Sequence, residues 1–199
     1  MLSRLLYLFF FSGFSAIIYQ IVWQRVLFTS FGTNIEAITI VVSVFMFGLG
    51  IGSIVGGYLS KLFSQKLLFL FMILEIGIGL FGLISIPLIK HINLLTFDFA
   101  EWKLPFIIYS ILCFPTMAMG ATLPILVTYI YKLTQSVGDS VSKLYYINTL
   151  GSAIACLFTV GVIFIFFSLS IATYIAAGLN FLIAILTYLY LSRFKSSNS

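Results

Sequence analysis

Six long apolar runs take up nearly all of this chain, and they leave room for almost nothing else. They cover approximately Leu5–Phe28, Ile35–Ser60, Leu67–Ile89, Leu104–Tyr131, Leu144–Phe167 and Leu169–Leu191. A helix crosses the hydrocarbon core of a bilayer with about 20 apolar residues. Inside lipid, each backbone N–H and C=O must find its partner within the segment, so each run is expected to be a helix. The fold class that follows is all-α, a polytopic membrane helix bundle of six transmembrane helices. It forms a single domain over residues 1–191, with a short tail over 192–199. Charged residues make up 8% of the 199 and hydrophobic ones 62%, far too little polarity to coat a water-facing surface. The first run follows Arg4 as a secretory signal would, but it is too long and has no small-x-small cleavage site after it. It is expected to stay as a helix.

Lys and Arg set the expected orientation. Arg4, Lys61, Lys66, Lys132, Lys143, Arg193 and Lys195 fall on the side of the two termini, whereas Arg25, Lys90 and Lys103 fall on the other. The excess predicts cytoplasmic termini and a multi-pass location in the cell (inner or plasma) membrane. Net charge is +5, yet no basic run occurs, so nucleic acid is not expected as a partner. The connection Lys90–Lys103 carries Ile92, Leu95, Phe99 and Trp102 at helical spacing, which predicts an interfacial helix over about 91–102.

The second run contains Gly48, Gly50 and Gly52, the string of a nucleotide-binding loop. Such a loop needs a strand before it and an acidic residue about 20 positions on. Neither is present. Gly48, Gly52 and Gly56 instead recur every fourth residue, the small-xxx-small spacing at which two helix backbones approach closely. Other spans carry similar faces: Thr173, Ala177, Asn180, Ala184 and Thr187 in the sixth, and Tyr145, Asn148, Ser152, Ala155 and Thr159 in the fifth. The third presents Glu75, Gly79 and Gly82. These faces are expected to look inward.

Glu75 is the acidic residue deepest in a span, about 12 Å from its start at Leu67. A charge there is costly, so the carboxyl should be protonated, paired or beside water. Asn148 is its expected partner, and either a proton or cation site or a hydrogen-bonded clamp between helices fits. Gln20 and Gln24 share a face of the first span, and Arg25 stands near its outer boundary, within reach of Glu36. These three either line a cavity or anchor the helix at the headgroups. Pro115, Gly120 and Pro124 predict a break in the fourth span, because each proline removes a backbone hydrogen bond. The freed carbonyls would turn to Thr116, Thr122 or water. The candidate chemistry ends there: Cys113 and Cys156 lie in apolar runs, and the one histidine, His91, stands by itself in a connection. No catalytic, metal or cofactor constellation is expected, and the chain reads as a non-enzyme.

Ser12–Arg25, the glycine stripe, Leu74–Gly82, Met119–Pro124 and Tyr146–Ser152 together resemble the membrane region of the spermidine-synthase-like membrane proteins. That region is similar to half of a major-facilitator transporter. The resemblance implies a transporter-like half-bundle handling a small cationic or polyamine-related solute. It also implies a homo-oligomer or a synthase-like partner protein in the bilayer. The alternative is a non-transporting anchor or scaffold for a separately encoded enzyme. The soluble aminopropyltransferase domain of the family has no counterpart here, so this chain is not expected to make spermidine.

Overall fold

The computed structural model describes residues 2–31, 34–95 and 103–196, and among them every regular element is helical. Helix α1 runs Leu2–Phe31, α2 Asn34–Leu62, α3 Leu67–Leu95 and α4 Lys103–Thr134. The fifth span is α5 (Val137–Phe158), a π-helical turn over Thr159–Ile163 and a last short helix, α6 (Phe164–Phe166). Helix α7 (Leu169–Ser196) closes the chain. Among the described residues, six helical stretches are thus long and apolar enough to cross a membrane.

The helices outrun the apolar runs because a turn in the headgroup region continues the backbone hydrogen bonding into polar sequence. α5 begins seven residues before Leu144, where Ser136 caps it by accepting from the Asp139 N–H at 3.3 Å. Gln135, at φ 55°, turns the chain sharply between α4 and α5. α3 likewise passes through His91 to Leu95, so the first part of the expected interfacial helix is the end of α3. Residues 96–102 of that segment, and the side chain of Glu36 expected opposite Arg25, lie outside the described residues.

The expected break in the fourth span does not occur. α4 is one continuous helix with Pro115 and Pro124 inside it, and α3 also contains Pro87. A proline forfeits one N–H, and neighbouring helices and hydroxyls hold the rest of the ladder together. Thr116 Oγ1 lies 2.9 Å from both Leu112 O and Cys113 O. Thr122 donates to Met119 O at 2.6 Å and Thr128 to Pro124 O at 2.8 Å.

Pairing follows the small residues. α2 packs along α4, α1 along α5, and α3 along α7, while α1 also touches α2, α3 and α7. Gly48 lies against Thr116, Gly52 against the Met117 backbone, and Gly56 against the Ala121 backbone. Gly120 returns the approach from α4 by resting on the Leu49 backbone. Cross-helix bonds from Thr116 Oγ1 to Val44 O (3.3 Å) and Thr128 Oγ1 to Ser60 Oγ (3.1 Å) tie the same pair. Two apolar clusters fill the interior. One gathers Tyr19, Trp23, Val44, Ile86 and Leu112, the other Leu5, Phe9, Phe71, Leu126 and Leu144. The outward faces are apolar too, with Ile54 and Leu157 among the most exposed residues, as lipid contact requires.

A leucine at Gly52 would drive into the Met117 backbone, which has nowhere to move. Gly52→Leu is expected to cost about 1–3 kcal/mol and to lower the yield of monodisperse protein in detergent. Gly57→Leu, where open space surrounds the position, should behave as wild type. Equal behaviour of the two variants would refute the close α2–α4 contact.

Candidate functional site

At the waist of the bundle, between the two apolar clusters, three helices bring polar side chains to one level. The buried apolar residues of α1 stop at Phe9 and resume at Ile18, those of α3 stop at Phe71 and resume at Ile78, and those of α7 stop at Ala177 and resume at Ile183. Ser12, Glu75 and Asn180 occupy those gaps. All three are buried, and Glu75 has no exposed surface at all.

Glu75 accepts from the Ser12 hydroxyl through Oε1 at 2.6 Å and from Asn180 Nδ2 through Oε2 at 2.7 Å. Asn180 Oδ1 in turn accepts from the Tyr19 hydroxyl at 3.1 Å. The Tyr19 ring stacks on Trp23, with centroids 5.3 Å apart, and Trp23 Nε1 donates to Ser85 Oγ at 3.0 Å. Ser15 Oγ donates to Ser12 O at 2.9 Å and holds that turn of α1 in place. Room for this chain of contacts comes from α3. Gly82 lies directly against the Tyr19 ring, and Gly79 faces Asn180 and Phe181. Both oxygens of the carboxyl are therefore answered, and both by neutral donors.

The sequence placed Asn148 beside Glu75. The structure separates them. α1 stands between α3 and α5, so Glu75 meets one face of α1 while Asn148 meets another. Ser12, Tyr19 and Trp23 are spaced to share the face toward α3 and α7. Gly13, Gln20 and Gln24 share a face about 100° around the helix. Asn148 lies against Gly13, with its Oδ1 buried and without a hydrogen-bond partner. Ser152 Oγ donates to Gly13 O at 3.2 Å on the same side. Gln20 and Gln24 are half-buried, whereas Arg25 is exposed with its guanidinium 4.0 Å above the Phe164 ring. The six polar candidates thus fall into two groups: Glu75 with Asn180, and Asn148, Gln20, Gln24 and Arg25 elsewhere. Thr173, Ala177, Ala184 and Thr187 are buried along with Asn180, but Tyr145 of the fifth-span face is exposed. Its hydroxyl-bearing ring points away from the bundle interior that the spacing assigned to it.

Ser12 and Ser85 were not singled out by sequence reasoning. A serine within an apolar span carries little signal by itself. The available clue was depth, since Ser12 lies about as far into α1 as Glu75 lies into α3. Among the described residues, no group of three His, Cys, Asp or Glu side chains could hold a metal ion. Four surface cavities among the described residues are lined by other residues than these.

Fold and site together define an all-α helix bundle compatible with an integral membrane protein, with a buried carboxyl at its waist. Comparison of the chain with protein-family models, with curated proteins and with solved structures returns no match.

Asn180→Ala removes the donor to Glu75 and the acceptor of Tyr19 at once. It should cost about 1–3 kcal/mol, read from unfolding in denaturing detergent. Asn148→Ala removes an amide whose Oδ1 has no partner and should stay within about 0.5 kcal/mol of wild type. The reverse ranking would show that Asn148, not Asn180, belongs to the network.

Proposed function

We propose that this chain is a transporter-like half-bundle that handles a small cationic or polyamine-related solute in the membrane, and that it is not itself an enzyme. The observation that carries the reading is Glu75, a fully buried carboxyl whose hydrogen-bond partners, Ser12 and Asn180, are both neutral. An ionisable residue within a membrane span is a candidate for an ion or proton path by default. The resemblance of Ser12–Arg25, Leu74–Gly82 and Met119–Pro124 to the spermidine-synthase-like membrane region supports the same solute class.

A second reading has an observation of its own. The network is closed, with Gly82 against Tyr19 and both carboxyl oxygens occupied, as in a clamp that holds α1, α3 and α7 together. On that reading the bundle anchors a separate synthase-like protein and moves nothing.

Glu75→Gln separates the two, because it keeps the shape and the acceptor for Ser12 but can neither take up nor release a proton, and it turns an N–H toward Asn180. In proteoliposomes loaded by a gradient of labelled spermidine or methylammonium, wild type should show uptake and Glu75→Gln roughly tenfold less, with equal protein recovered. Uptake unaffected by the substitution, or absent from the wild type, would leave the anchor reading.

A further inference from the structure

We propose that the end of the bundle where α1 starts and α7 finishes holds a binding site for the phosphodiester headgroup of an anionic phospholipid. The inference is independent of whether the chain moves a solute. A cavity of about 590 Å³ opens there between the start of α3 and the ends of α4 and α7. Lys66, Lys132, Gln65 and Tyr129 form its polar side, and Leu68 and Leu191 belong to its apolar side. Lys132 is held at the rim, where Nζ donates to Ser64 O at 2.6 Å and keeps two further N–H groups to offer. A second cavity, of about 350 Å³, lies between α1 and α7 with Arg4 at its head and Leu8 and Leu189 along its walls. Tyr190 lines both.

Among the described residues, the cationic groups that line these two cavities are uncompensated. The acidic side chains among the described residues are Glu75, buried at the waist, and Asp139, which pairs with Lys143 at 3.6 Å. Arg4, Lys66 and Lys132 therefore face the cavities without an acid beside them among the described residues. The occupant has to be an anion. Its other half has to be apolar, since each cavity joins its cationic head to walls of leucine at the edge of the membrane-spanning region. A free phosphate has no use for such walls, whereas a phospholipid places its phosphate at the lysines and its acyl chains along them. Basic pockets between transmembrane helices bind anionic headgroups on this principle.

The test uses the full chain in an uncharged detergent, with bound lipid read by native mass spectrometry. Phosphatidylglycerol and phosphatidylcholine of identical acyl chains are the probes. Phosphatidylglycerol should be retained preferentially. Lys66→Gln and Lys132→Gln should each weaken its retention by about fivefold. Lys66→Arg should retain it, and Lys61→Gln, which alters an exposed lysine outside both cavities, should change nothing. Lys66 has no backbone bond like that of Lys132 to Ser64, so its substitution tests the site even if Lys132→Gln disturbs the fold. Equal retention of the two lipids would overturn the proposal. So would an equal loss in Lys61→Gln, which would mean diffuse charge only. Displacement of the lipid by millimolar inorganic phosphate would overturn it in favour of a free-phosphate site.

Discussion

Burying a carboxyl in a membrane is the constraint around which this bundle is arranged. An unsatisfied polar group in hydrocarbon costs several kcal/mol, so Glu75 dictates what must stand beside it. The answer is drawn from two other helices, a serine from α1 and an asparagine from α7. Because the partners come from different spans, satisfying Glu75 fixes the register of three helices relative to one another. Slipping any of them by one residue would turn its polar group about 100° away. The apolar clusters above and below have no such preference, since leucine packs on leucine in many registers. Direction and register come from the polar waist, and bulk cohesion comes from the clusters on either side of it.

The α2–α4 pair solves a different problem. Lipid is as apolar as leucine, so two helices gain little by hiding apolar side chains from it. Close approach supplies the attraction instead, through backbone contact at Gly48, Gly52, Gly56 and Gly120 and through threonine hydroxyls that reach across. Thr116 and Thr128 also lie within bonding distance of carbonyls of α4 one turn back from each. Each of these hydroxyls is thus shared between its own helix and α2.

Six helices and the all-α class were legible in the sequence, because bilayer thickness sets a threshold that each apolar run clears. Helix ends were less legible. Hydrophobicity stops at Leu144, while the helix starts at the Ser136 cap, a local hydrogen bond that counting apolar residues ignores. The prolines of α4 were over-read as a break, since a lost N–H removes one rung and the helix continues past it, while Thr116 and Thr122, named from the sequence, do bond carbonyls of the same helix. The waist was half legible. Glu75 and Asn180 stood out as polar residues in apolar spans, and Gly79 and Gly82 stood out beside them. Which of them meet depends on the order of helices around α1, and nothing in the spacing of a single span encodes that order. Asn148 was paired with Glu75 on depth, and depth cannot tell which side of α1 a helix occupies.

The central claim is that Glu75 and Asn180 are directly coupled across α3 and α7. A double-mutant cycle with Glu75→Gln and Asn180→Ala, read from equilibrium unfolding in mixed micelles, measures that coupling. The expected interaction energy is roughly 0.6–1.7 kcal/mol, from the average to the largest value for hydrogen bonds between membrane helices, with none in the parallel cycle of Glu75→Gln with Asn148→Ala. Additivity in the first cycle, or coupling in the second, would contradict it.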